Sequence, residues 1–229
     1  MYGKEPPRNG EKKKKRLEDR RIRAMMPDFS FEKNFIHKKV AGVDEVGCGP
    51  WAGPVLACAV VFFEYDQAFW NNVNDSKKLT AQKREESFEL LTKSSSLVYG
   101  IGSVSVEEID QLNIACATRL AMERAVDNLP IRPEHLLIDG IRKPSIDIPF
   151  TMITKGDSKS LSIAAASIIA KVTRDRIMGD LAEDYPMYHW SKNAGYGTAL
   201  HQDALRKYGL TPHHRRSFAP IRAMLREVA

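Results

Sequence analysis

A short apolar segment, Val40 to Val43, runs straight into two adjacent carboxylates, Asp44 and Glu45. The chain then breaks into a glycine- and proline-rich loop from Gly47 to Pro54, and the β-branched apolar run Val55 to Phe63 follows at once. Two such runs around a turn-forming loop read as strands, the second fully buried. Carboxylates are costly inside a core, so a strand that ends on acids must end at the margin of its sheet. The pattern recurs: His135 to Ile138 ends at Asp139-Gly140, and Phe150 to Ile153 ends at Lys155-Gly156-Asp157.

Helical signals separate these strands. Ala81 to Lys93 carries Phe88, Leu90 and Leu91 at helical spacing. Leu97 to Val104 reads as another strand, and short connections make the first three strands an antiparallel meander. Ser105-Val106-Glu107-Glu108 fits a capping box, so a helix starts there. Asn113 to Leu129 has Ile114, Ala117, Leu120, Ala121 and Ala125 on one stripe. Leu161 to Tyr185 reads as a long helix, with shorter helical pieces near Ala199 to Lys207 and Arg216 to Glu227. Three meandering strands followed by helix–strand units predict an α/β domain, one mixed sheet with helices against it.

Charge placement sets the domain boundary. Of a net charge of +6, the first 23 residues carry all, with ten basic and four acidic side chains. Residues 1–36 read as a basic, disordered N-terminal extension, and Lys12 to Arg16 could serve as an electrostatic arm for nucleic acid. Residues 37–229 read as the folded domain, with a basic helical C-terminal region over about 185–229. The longest apolar run, Val55 to Phe63, is far short of the ~20 residues that cross a bilayer. No secretory signal is read at the start. Cys48, Cys58 and Cys116 lack disulfide-scaffold or zinc spacing. A cytoplasmic protein without a membrane partner is expected.

Acids at strand ends can converge, because ligand crevices in α/β sheets lie outside the carboxyl ends of strands. Clustered carboxylates stay ionised only with cations between them, and oxygen ligands suit Mg²⁺ or Mn²⁺. Asp44, Glu45, Asp139 and Asp157 are therefore candidate metal ligands for a phosphoryl displacement. The alternative is that each acid caps a turn. Adjacent residues on a regular strand also face opposite ways, so Asp44 and Glu45 share a site only if the strand ends or bulges there. Gly47 to Ala52 fits G-x-G-x-x-A, but a β-rich run follows where a dinucleotide site needs a helix.

Five ordered blocks resemble ribonuclease HII, the type 2 ribonuclease H. They are AGVDEVGCGPWAGPV over 41–55, DSKKL over 75–79, LIDG over 137–140, KGDS over 155–158 with AAASIIAK over 164–171, and GYGT over 195–198. The resemblance implies an RNase H-like fold with a mixed five-stranded sheet flanked by helices. It implies a monomeric endonuclease that hydrolyses RNA in RNA–DNA hybrids and cuts 5′ of single ribonucleotides in duplex DNA. Two divalent ions, Mg²⁺ or Mn²⁺, would sit on Asp44, Glu45, Asp139 and Asp157. The family's glycine loop reads the 2′-hydroxyl, which places that role on Gly47, Cys48 and Gly49; its junction-sensing tyrosine corresponds to Tyr196. Ser76, Lys77, Lys78, Lys171 and Arg174 are candidate phosphate contacts. The seven Lys/Arg from Lys192 to Arg226, Arg215 among them, suggest a duplex-facing patch, whereas His213 and His214 read as surface or backbone-bonded residues.

One residue departs from the family pattern. The loop's middle position is normally arginine and here is Cys48, which removes a planar, permanently charged donor set. The expectation is weaker binding with intact chemistry. A hybrid-binding protein of the same fold with weakened catalysis is the competing reading.

Overall fold

The computed structural model describes residues 26–66, 70 and 73–227. Strands β1 (Val40–Val46) and β2 (Val55–Phe62) pair antiparallel with Asp44 opposite Cys58, and β3 (Leu97–Val104) pairs antiparallel with β2. Strand β4 (His135–Asp139) lies parallel to β1, and β5 (Phe150–Ile153) lies parallel to β4. The result is the expected mixed five-stranded sheet, in the order β3-β2-β1-β4-β5. The β2–β3 connection is not short, however, because it contains helix α1 (Ala81–Lys93).

Strand alternation sorts side chains onto two helical layers. On one face Cys58, Val60 and Phe62 pack against Ala164, Ala165 and Ile168 of the long helix α4 (Leu161–Asp184). On the other, Ala41, Val43, Ala57, Ala59 and Ile138 meet Ala117, Ala121 and Met122 of α3 (Ile114–Asp127). The short helix α2 (Val106–Leu112) precedes α3 and begins at the expected capping box, with Ser105 and Glu108 each bonding the other's amide. Helix α4 lies almost on the backbone of β1: a Cβ added at Gly42 would sit 2.2 Å from the carbonyl carbon of Ser162.

The domain starts earlier than expected. Residues 1–25, including Lys12 to Arg16, lie outside the described residues. From Phe29 onward the chain is packed. Phe29 is buried against Phe62 and Tyr65, with ring centroids 5.1 and 5.0 Å apart, and Phe35 stacks on His135 at 3.8 Å. Apolar surface from Phe29, Phe31 and Phe35 seats residues 29–35 on the domain, and their net charge is zero, unlike the basic run before them.

The C-terminal region also holds more core than its polarity implied. Helices α5 (Trp190–Asn193), α6 (Ala199–Tyr208) and α7 (Ala219–Glu227) enclose Trp190, Leu205 and Ile221 together with Ala52 and Met178. Helix α7 begins later than position 216, because the amides of Arg216 and Ser217 donate to Asp110 instead. Among the described residues no helix is long and apolar enough to cross a membrane.

The Gly42 contact yields a stability prediction. Gly42→Ala must push α4 away from β1 and lower unfolding free energy by about 3 kcal/mol, read from the urea midpoint. An unchanged midpoint would contradict the close packing.

Candidate active site

The register of the parallel strands builds the site. Val43 and Ile138 are paired across β1 and β4, so Asp44 and Asp139 leave the ends of adjacent strands side by side. Asp157 arrives from β5 on a 3-10 turn, Gly156–Ser158, immediately before α4. The Gly156 amide donates to Asp139 Oδ1 at 2.6 Å and ties this turn to β4. One carboxylate oxygen from each of Asp44, Asp139 and Asp157 lies within 4.8 Å of the others. Burial first, then the charges of Glu45 and Asp139, push Asp44 well above the ordinary carboxyl value. Burial, with Asp75 and Asp139, also raises Asp157, while Lys77 opposes the shift. Such a trio of mutually repelling oxygen ligands fits a divalent cation.

Glu45 stands beside this trio and outside it. Strand β1 stays regular through Val46, so Glu45 faces the layer opposite Asp44. Its Oε1 accepts from Arg142 at 2.8 Å. Burial raises Glu45, with Arg142 lowering and Asp139 raising it in turn. Arg142 was not foreseen from the sequence, where it is one cation in an irregular loop. Asp75 heads the DSKKL block, yet only the residues after it were singled out.

Two buried arginines hold the glycine loop from beneath. Arg174 donates to the carbonyls of Pro54, Ala52 and Ala194 at 2.9, 3.0 and 2.9 Å. Arg215 donates to Gly53, Gly47, Pro54 and Cys48 at 2.9, 2.7, 3.1 and 3.3 Å. Burial lowers both guanidiniums, and the neighbouring Arg174 helps to bring Arg215 down to about 9. In a trans peptide the N–H points opposite to the C=O. With the carbonyls of Gly47 and Cys48 turned to Arg215, the amides of Cys48 and Gly49 point away from it. Gly47 has φ +90°, and a Cβ there would lie 2.3 Å from Arg174 Nε, so this position requires glycine.

Arg174 and Arg215 are thus corrected from surface cations to buried loop supports. Both are essentially inaccessible, because helix α4 and the C-terminal segment close over them. Cys48 directs its thiol toward Thr118 Oγ1 at 3.3 Å, and burial pushes the thiol above its ordinary ionisation range, which keeps it protonated. Ser76 also turns inward, its hydroxyl 2.8 Å from that of Ser167. Lys77 is exposed, with Nζ 3.5 Å from Asp157 Oδ2, and Lys78 lies 3.7 Å from Asp75. Lys171 is engaged by Asp175 one turn along α4, at 2.6 Å.

A buried histidine pair fixes the Gly195–Gly197 turn. Trp190 Nε1 can only donate, and it donates to His201 Nε2 at 3.2 Å. His201 Nδ1 therefore carries the proton and donates to the Tyr196 carbonyl at 2.9 Å. The Thr211 amide donates to His214 Nδ1, so His214 donates from Nε2 to His201 at 3.0 Å. His214 is backbone-bonded as expected but buried instead of superficial. The Tyr196 ring is half exposed and lies against the loop: a Cβ added at Gly49 would be 3.3 Å from its Cε1.

A mixed sheet in this strand order, with carboxylates converging from β1, β4 and the turn after β5, defines a protein of the ribonuclease H type. A ribonuclease H2 from Pyrococcus horikoshii OT3 superposes with a TM-score of 0.70 at 28% identity, over 82% of this chain and 98% of that one. A Bst ribonuclease HIII in complex with Mn²⁺ shares the fold at a TM-score of 0.62 and 19% identity, over 82% and 70% of the two chains. The family description "Ribonuclease HII" matches residues 41–221. The ribonuclease HII of Macrococcus caseolyticus is 50% identical over 86% of this chain and 73% of its own length. That of Gluconobacter oxydans is 50% identical over 87% and 97%. The chain belongs to the ribonuclease HII family and is an endoribonuclease that hydrolyses the RNA strand of RNA–DNA hybrids.

The histidine pair makes stability depend on pH. Burial, with His201 beside it, lowers His214 from 6.5 to about 3. The unfolded chain binds the extra proton between those values, so stability present above pH 6.5 is lost as pH falls toward 3. The loss approaches about 1.4 kcal/mol per pH unit. Urea unfolding across this range should show a shallower decline in His214→Gln than in the wild type. Equal slopes would contradict a neutral buried His214.

Proposed function

We propose that this chain cuts on the 5′ side of a single ribonucleotide embedded in duplex DNA, as well as within longer RNA–DNA hybrids. Water attacks the scissile phosphate in line and leaves 3′-hydroxyl and 5′-phosphate ends. The observation that carries the reading is the convergence of Asp44, Asp139 and Asp157, with oxygens within 4.8 Å of one another. These residues would hold Mg²⁺ or Mn²⁺, and Glu45 joins them on exchanging Arg142 for a cation. A bound pair of such ions supplies Lewis-acid stabilisation of the phosphate and a more acidic water.

The chain's own groups do the rest. Lys77, exposed beside Asp157, offers an ammonium to a phosphate oxygen. Lys78, on Asp75, reaches the same strand of substrate. The outward amides of Cys48 and Gly49 suit a ribose 2′-hydroxyl, which distinguishes RNA from DNA at one position. The half-exposed Tyr196 ring beside Gly49 stacks on the sugar or base at the junction. Ser76, Lys171 and Arg174 act indirectly, through Ser167, Asp175 and the loop carbonyls.

The test is cleavage of a DNA duplex carrying one ribonucleotide, with Mg²⁺ and separately with Mn²⁺, against an all-DNA duplex. Incision 5′ of the ribonucleotide is expected, with Asp139→Asn slower by at least about 10²-fold. Tight binding without incision would favour a hybrid-binding protein.

Cys48 gives a second prediction. With the loop working through its backbone, Cys48→Arg should add phosphate affinity and lower KM while kcat stays within about twofold. An unchanged KM would reject this account of the cysteine.

A further inference from the structure

Glu32 lies on the 3-10 turn Glu32–Phe35, outside the residues matched by the family description. It is wholly buried. Its Oε1 accepts three hydrogen bonds: from the hydroxyls of Ser160 and Ser162, both at 2.6 Å, and from the Ser162 amide at 3.0 Å. Its Oε2 is buried with no hydrogen-bond partner among the described residues. Backbone contacts reinforce the grip. The Asp28 amide donates to the Lys159 carbonyl at 3.2 Å, and the Leu161 amide donates to the Asp28 carbonyl at 2.9 Å.

The gripped segment, 159–162, joins the Asp157 turn to α4. Ser160 is the N-cap of α4, its hydroxyl accepting from Ile163. Its amide also donates to the Gly156 carbonyl at 2.8 Å and closes the turn that carries Asp157. Asp157 needs such a restraint, because it is placed against Asp139 and the pair repel. A buried carboxylate is costly unless its setting compensates it. The first turn of a 24-residue helix does so, through the Ser162 amide and the positive end of the helix dipole. An apolar residue would fill the space equally well. A carboxylate oxygen with three donors does something more: it fixes both serine rotors and hence the direction of the turn.

We infer that Glu32 is a positioning residue for the carboxylate site: the N-terminal segment clamps the Asp157 turn through Ser160 and Ser162 and so sets metal affinity. The inference rests on Asp157 belonging to the metal-holding set.

The test uses the full chain with Glu32→Ala, Glu32→Gln and Glu32→Asp. Mn²⁺ affinity without nucleic acid is measured by calorimetry, backbone hydrogen exchange is followed over 156–162, and kcat and KM are measured on the ribonucleotide duplex. Glu32→Ala should weaken Mn²⁺ binding by about 10-fold, in line with the loss of other outer supports of metal ligands. It should lower kcat with KM within twofold and speed exchange over 156–162. Glu32→Gln keeps an acceptor oxygen for the three donors and should restore most of the affinity. A Glu32→Ala protein that melts earlier yet binds Mn²⁺ and turns over like the wild type would overturn the inference. If Glu32→Ala does not fold, Glu32→Asp decides: it withdraws the oxygen by one methylene, and unchanged Mn²⁺ affinity there refutes the clamp. A wild-type chain that binds Mn²⁺ without cutting defeats the proposed function instead, since the clamp is judged only by differences between wild type and variants.

Discussion

Carboxylates at the ends of neighbouring parallel strands repel one another, and the architecture around them is what keeps them together. Asp44 and Asp139 are fixed by the β1–β4 register, which lies in the middle of the sheet, covered on both faces by helices. Asp157 has no strand of its own. It depends on the amide link from Gly156 to Asp139 and on the start of α4, which is seated on β1 at Gly42. The energy that opposes the electrostatic strain comes from the apolar layers behind the site, so the chemistry at the sheet margin and the packing of the core are one problem.

The glycine loop beside the site uses the opposite device. Cations are buried there, and the loop's carbonyls solvate them. Seven hydrogen bonds from Arg174 and Arg215 converge on the carbonyls of residues 47, 48, 52, 53, 54 and 194. Guanidiniums suit this task because their planar fork reaches several acceptors at once. The C-terminal segment adds main-chain contacts to the same loop, from Trp51 to Gly195 and from Gly53 to His213. The β1–β2 loop and the C-terminal segment are therefore held to each other.

Much of this was legible in the sequence, and the exceptions have physical reasons. Local signals were read well: the Ser105 capping box, the amphipathic stripe of α3 and the runs of β2 and β3 all depend on near neighbours. The acids at strand ends were found because a strand entering a carboxylate is itself a local anomaly. Burial of charge was not legible. Arg174 and Arg215 look like solvated cations, since nothing nearby in sequence announces the loop carbonyls they bind, each more than a hundred residues away. Ser76 was misjudged for the same reason, its partner Ser167 lying on a different element. The strand period could have separated Glu45 from Asp44, but the glycines after them made a bulge equally reasonable. The packed residues 29–35 were hidden by the basic run before them.

A loop supported in this way encodes its surface in its main chain. Its side chain at position 48 leans on Thr118, away from the two guanidiniums, and is held by neither of them. Side-chain identity there can change while the carbonyl bonds that aim the amides are kept. The same design is brittle to changes in length. One residue inserted or deleted between Gly47 and Pro54 would slide the loop's carbonyls past their guanidiniums and disturb the six bonds made within it, so this stretch tolerates spelling changes but not a change in its count.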